Sequence, residues 1–229
     1  MEVTNEEPII GGDSDMTNEE IKQNAKTYYA SQNRAVTKQD YESLVYSMPA
    51  KFGKIRRVNV VNDPSSTNRR LAMYVISVNK DGTLVTANER IKLNVKNWIT
   101  NYKALNDTID IFDAKIVNFG VDFKITVDPR YSQYDIVGRC VQRIKEEYSN
   151  QLYIGEQVSI TNLYSVLGKV EGVADVKNVN IIPKTGTNYS PIRFDFNEMR
   201  SDDGTFIKAP KNVIMELKFP NSDIRGRIV

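Results

Sequence analysis

The sequence predicts an α+β fold: helices first, a mixed helix and strand body in the middle, and a β-rich end. Three observations carry this. Apolar residues recur at helical spacing in several separate stretches. Between them, strict alternation marks strands, most plainly where Val121, Phe123, Ile125 and Val127 alternate with Asp122, Lys124, Thr126 and Asp128. Turn residues then crowd the last quarter, from Lys184 onward.

Each element follows in order. Residues 1–16 are acidic, end in Gly11-Gly12-Asp13-Ser14-Asp15, and read as a flexible arm. Thr17-Asn18-Glu19-Glu20 has the form of a capping box and opens a helix with Ile21, Ala25, Tyr28 and Tyr29 on one face. Thr37-Lys38-Gln39-Asp40 opens a second helix, through about Ser47, with Tyr41, Leu44, Val45 and Met48 as its stripe and Pro49 as its stop. Ile55 to Val61 is a half-polar strand suited to a sheet edge. Leu71 to Val78 is apolar on both faces, as in a central strand covered on both sides. Asn62-Asp63-Pro64-Ser65-Ser66 turns between them.

Asp81-Gly82 precedes a helix over 88–102 bearing Ile91, Val95, Trp98, Ile99 and Tyr102. Residues 109–118 form a strand whose alternation slips near Asp113, which predicts a bulge, and Gly120 is expected at a bend. After Asp128-Pro129 comes a helix over 132–148, with Ile136, Val137, Cys140, Val141, Ile144 and Tyr148 on one face. Ser159 can cap a short helix that buries Ile160, Leu163, Tyr164 and Leu167 and exits at Gly168. Val173 to Ile182 is the next strand. Beyond it, Asp203-Gly204 reads as a hairpin-like turn, and Val213, Met215, Leu217 and Phe219 form an alternating apolar stripe.

From Leu71 the order is strand, helix, strand, strand, helix, short helix, strand. This is a split βαβ order of the ferredoxin-like kind. The expected division is an arm (1–16), N-terminal helices and a strand (17–62), a ferredoxin-like α/β domain (63–183) and a β-rich C-terminal extension (184–229). An isolated hairpin is barely stable in water, so the extension needs a surface to dock on. The stripe Val213, Met215, Leu217 and Phe219 is expected to dock there or to cover the domain's own sheet.

Composition excludes several functions. There is no histidine, which removes the commonest general base and the commonest metal ligand. The single cysteine, Cys140, excludes an internal disulfide and a thiolate metal cluster. A net charge of +2 lacks the basic excess of a dedicated nucleic-acid or anionic-membrane binder. No apolar run approaches the roughly 20 residues of a membrane-spanning helix, and the start lacks the form of a signal peptide. No metal, cofactor or small-molecule substrate is expected. The expected setting is a cytoplasm-like compartment or an assembly built there.

Candidate sites are few. Phe119-Gly120-Val121-Asp122-Phe123 faintly echoes the aromatic strand of RNA-recognition domains, but Phe123 is in phase with core residues. Glu146-Glu147 and Glu19-Glu20 are helix neighbours about 100° apart, not converging pairs. Asp202-Asp203 suits a turn, and Cys140 suits a core. Lys51, Lys54, Arg56, Arg57, Arg69 and Arg70 form a basic cluster, read first as a solvated surface, next as a patch for an acidic neighbour and last as a nucleic-acid contact, which the near-neutral whole supports poorly. One tyrosine of the Tyr28-Tyr29 pair must face outward and could anchor an interface. The candidate interface residues are therefore Val213, Met215, Leu217, Phe219, Arg56, Arg57, Arg69 and Arg70.

Three stretches resemble the baseplate J-like family. Arg34-Ala35-Val36-Thr37-Lys38-Gln39-Asp40-Tyr41-Glu42 is similar to the helix start of that family, followed here by Met48-Pro49 and the strand from Lys54 to Val61. Tyr74-Val75-Ile76 with Asp81-Gly82 and its helix is the second. The third is Leu163, Leu167, Gly168, Val170, Gly172, Val173, Asp175 and Val176, similar to the family's closing pattern. The resemblance spans residues 34–182 and is to the C-terminal part of a longer protein, so that Met1 is not expected to be a native start. It implies a non-enzymatic virion component of a phage tail baseplate, assembled in the host cytoplasm. It also implies pairing with itself as a homodimer, binding to other baseplate wedge subunits, and joining wedges into a ring around the tail hub. It carries no catalytic residues. The alternative from fold order alone is a ferredoxin-like module that binds nucleic acid or a ligand.

Overall fold

The alternation slips near Asp113 because one strand ends there and another begins. In the computed structural model, which describes residues 18–31, 34–62, 70–79 and 82–229, Thr108–Asp113 and Lys115–Val127 are separate strands in separate sheets. The chain divides between Ala114 and Lys115 into two compact units, each with its own core. The Thr17 cap, the arm before it, Arg69, Asp81 and the turn from Asp63 lie outside the described residues.

The first unit begins with α1 (Asn18–Ser31) and α2 (Lys38–Tyr46). The expected capping box is present at α2: the Thr37 hydroxyl accepts from Asp40 N–H at 3.2 Å, and the Asp40 carboxylate accepts from Thr37 N–H at 2.8 Å. Pro49 leads into a short 3₁₀ turn, Ala50–Phe52. Then come β1 (Arg57–Asn62), β2 (Arg70–Val78), β3 (Leu84–Val85), α3 (Glu89–Thr100) and β4 (Thr108–Asp113). β2 is central, as its two apolar faces predict. β1 pairs with it antiparallel, β4 pairs with it parallel, and β3 pairs with its end. β2, α3 and β4 thus form a crossover unit. Tyr41, Leu44, Val95 and Ile99 from the helices pack with Val60, Leu71, Met73 and Val75 from the sheet. Trp98 is a packing residue whose Nε1 donates to Leu44 O at 2.9 Å.

The second unit is built on β5 (Lys115–Val127), followed by α4 (Gln133–Glu147), β6 (Val158–Ser159), α5 (Ile160–Gly168), β7 (Val173–Pro183), β8 (Phe206–Ile207), β9 (Val213–Glu216), α6 (Pro220–Asp223) and β10 (Ile224–Ile228). β7 runs antiparallel along one edge of β5. Along the other edge, β9 pairs parallel with residues 115–118 and β10 pairs parallel with 121–125. Ile136, Cys140 and Ile144 of α4, with Leu163 and Leu167 of α5, close over Phe119, Val121, Phe123 and Ile125.

The α+β class is therefore what forms, but one ferredoxin-like sheet over 63–183 does not. That sheet required residues 109–118 to be a single strand. Instead Asp113 is held by Lys92 Nζ (2.8 Å) and Ala87 N–H (3.2 Å), buried Ala114 ends β4, and β5 draws partners from the C-terminal residues. Gly120 is not a bend either, since β5 runs straight through it. Its missing Cβ is a matter of space: a Cβ there would run into Lys184 Cε and lie 2.6 Å from Asp223 O. The last 46 residues are not an appended extension, because β9 and β10 complete the β5 sheet.

Candidate interaction surfaces

The stripe of the final segment divides. Val213 and Met215 lie in β9 and are 2% and 3% exposed, inside the unit's own core. They belong to a strand of that sheet, paired with Lys115 and Val117 of β5, and their side chains are buried in its core. Leu217 is half-buried against the same core. Phe219 alone of the four emerges, with its ring edge-on to Tyr189 at 5.5 Å and Lys218 Nζ 5.6 Å from its centroid.

The basic cluster also divides. Arg57 is buried, Arg56 is half-buried, and Arg70 is exposed and ion-paired with Asp110. Arg57 sits opposite Ile76, whereas Arg70 precedes the Leu71↔Asn62 pair at the other end of the ladder. Six residues of strand put them about 20 Å apart. Lys51 stands over the Phe52 ring at 4.9 Å, and Lys54 is half-buried. The described members therefore form no single patch. Tyr29 of α1 is 86% exposed, on an outer row with Ile21 and Ala25.

The possible chemical sites resolve into structural contacts. Phe119 and Phe123 are both buried and leave no stacking face on β5. Glu146 accepts from Arg143 and Gln142, while Glu147 accepts from Asn162, so the two carboxylates serve different neighbours. Asp203 closes its turn by accepting from the hydroxyls of Ser201 and Thr205, and these bonds hold its carboxyl below the ordinary range. Cys140 is fully buried, and burial pushes its thiol up to about 11. Asp128 is held at about 2 by the Arg130 guanidinium beside it. Among the described residues no cluster of three or more acidic or cysteine side chains could hold a metal ion, and no helix is long and apolar enough to cross a membrane.

Sequence reasoning missed one cluster. Asn118 Nδ2 donates to buried Glu216 at 2.7 Å, and Asn118 Oδ1 accepts from Ser190 N–H at 2.7 Å. Asp223, fully buried, accepts from the Tyr189 hydroxyl (2.6 Å) and Phe219 N–H (3.0 Å), with Lys184 Nζ 3.6 Å away. These bonds pin residues 184–190 and α6 beside Gly120. The only sequence signal was that glycine within an apolar strand, which marks a close backbone approach as well as a bend.

No protein-family model matches the chain, and no curated protein matches it. A solved structure does: a chain of the cryo-EM structure of the anti-feeding prophage (AFP) baseplate, 6-fold symmetrised, matches with a TM-score of 0.52 at 16% identity. The match covers 87% of this chain and 41% of that one, so this chain spans less than half of its neighbour's length. At that identity, what the two share is the fold.

Proposed function

We propose that this chain is a structural subunit of a contractile phage tail baseplate wedge. It associates with itself, binds other wedge subunits and helps join wedges into a ring around the tail hub. The observation that carries the reading is the fold match to a baseplate chain over 87% of this sequence. The motif resemblance over 34–182 supports it independently. That resemblance is especially close to the C-terminal portion of the T-even phage baseplate wedge protein. The lack of histidine and the ordinary structural roles of the shifted carboxyls favour a non-enzymatic part. On this reading Phe219 and Arg70, the exposed members of the candidate set, meet neighbouring subunits.

The test is co-expression with the other subunits of a baseplate wedge, followed by purification and electron microscopy of the particles. The expected result is incorporation at fixed stoichiometry. A chain that never enters a wedge sinks the proposal. Binding to a generic oligonucleotide with a steep salt dependence would instead favour the nucleic-acid alternative.

A further inference from the structure

Most long strand edges in this protein are closed off. At the outer edge of β1, Val58 N–H is taken by the Tyr46 hydroxyl (3.2 Å) and Val60 N–H by Glu42 Oε1 (3.0 Å). At β7, the Tyr164 hydroxyl takes Val179 N–H at 3.1 Å, and Asp175 and Lys177 stand exposed. β10 carries Arg225 and Arg227, both exposed. Side-chain caps and edge charges of this kind keep edges from pairing with other chains.

β4 has no side-chain cap on an outward N–H, and its two carboxylates, Asp110 and Asp113, are drawn into ion pairs with Arg70 and Lys92 of their own copy. Ala114 N–H donates to Val75 O at 2.9 Å. By the two-residue alternation of a strand, Thr108, Asp110 and Phe112 therefore aim their main-chain groups at β2, while Ile109, Ile111 and Asp113 aim theirs outward. Among the described residues no strand and no hydrogen bond meets that outward row. The strand is unbroken by proline or bulge. It also exposes Phe112, 48% accessible, beside Tyr74 with ring centroids 5.9 Å apart.

We infer that this edge pairs with β4 of a second copy, antiparallel across a two-fold axis at Ile111. The inference rests on the self-association in the proposed function and gives it a surface. The register follows from the strand's own residues. Residues directly opposite in an antiparallel pair share a face, so the two-fold must fall at a residue. At Asp110 it would set two Arg70-paired carboxylates directly opposite each other and leave the outward groups of Asp113 unpaired. At Phe112 it would leave the outward groups of Ile109 unpaired. At Ile111 the outward groups all meet: Ile109 with the second copy's Asp113, Ile111 with its own counterpart, and Asp113 with the second copy's Ile109. On the solvent face Asp110 then lies opposite the second copy's Phe112, so no like charges meet. The product is one continuous sheet through both copies.

The register makes a charge-specific prediction, read by sedimentation velocity of the full chain over a concentration series. Phe112→Asp sets a carboxylate opposite the second copy's Asp110 at two symmetric places and should weaken the dimer about tenfold. Phe112→Lys sets an ammonium there and should leave the dimer as tight or tighter. Ile111→Pro removes an outward N–H without touching the bonds to β2 and should leave a monomer that keeps the wild-type circular dichroism spectrum. If that variant unfolds, the exposed Phe112 pair still decides the matter. A wild type that is monomeric throughout overturns the inference. So does a dimer indifferent to all three changes, or one that shifts equally with aspartate and lysine. Variants that keep the dimer but lose entry into wedges would assign the edge to another subunit's strand, overturning the inference while sparing the proposed function. A dimer that responds as expected in a chain that never enters a wedge would do the reverse.

Discussion

Glycine means different things at different positions in this chain, and the environment decides which. At Gly120 a Cβ would run into the Lys184 side chain and the main-chain oxygen of Asp223, and the latter cannot step aside. Gly120→Ala should therefore cost about 1–3 kcal/mol in urea unfolding. At Gly138, inside α4, an added Cβ would meet nothing within 4 Å, so Gly138→Ala should stabilise by about 1 kcal/mol through helix propensity alone. Glu42 supplies a pH dependence. Loss of water raises its carboxyl above the ordinary 4.5, against the opposing Val60 N–H and Lys38. The folded chain thus holds this proton more tightly than the unfolded chain. Between the two values the native state binds more protons, so stability falls as pH rises through that window. Glu42→Gln removes the charge and keeps an oxygen for Val60 N–H. It should match the wild type in acid below 4.5 and exceed it at neutral pH, as paired urea titrations at the two pH values will show.

At the scale of elements, what was legible in the sequence is what short-range chemistry decides. The box at Thr37 and Asp40, the Ser159 cap that accepts from Asn162 N–H at 3.0 Å, and the Ile136, Cys140, Ile144 stripe are set by residues within a turn or two of one another. The α2 cap should carry weight in stability, because its two reciprocal bonds fix the entry to a helix of only nine residues. Thr37→Ala is expected to cost about 1 kcal/mol, measured by thermal or urea unfolding, with the loss shared by Asp40→Ala and not doubled in the pair. What misled was the slip at Asp113. A bulge and a sheet change leave the same mark on alternation. The choice was made by Lys92 and Ala87, whose hold on Asp113 comes from the neighbourhood of α3's N-terminus and follows no local pattern.

At the scale of the whole molecule, chain order hid the architecture because the last strands return to an early one. β5 lies about a hundred residues before β9 and β10, so neither spacing nor periodicity could announce that Lys115–Val127 waits for them. The candidate stripe suffered for the same reason: Val213 and Met215 looked available until the strand they complete was known. This reverses the expected effect of cutting the C-terminus. Were the final segment an appended docking arm, its removal would spare the body. Here β10 supplies the parallel partner of Val121–Ile125, and Gly226 lies so close to the Phe123 ring that a Cβ would overlap its Cζ. Removing residues 224–229 strips that edge and uncovers Phe123, whose burial is worth about 2–3 kcal/mol. The first unit keeps Tyr41, Leu44, Met73 and Val75 in a core of its own. Amide exchange read peptide by peptide should therefore show β5 and β7 losing protection by at least about tenfold in the truncated chain, while β1 and β2 keep theirs. Uniform loss across both units would mean that the two cores fold as one. Unchanged protection in β5 would mean that β10 contributes nothing to the sheet it lies against.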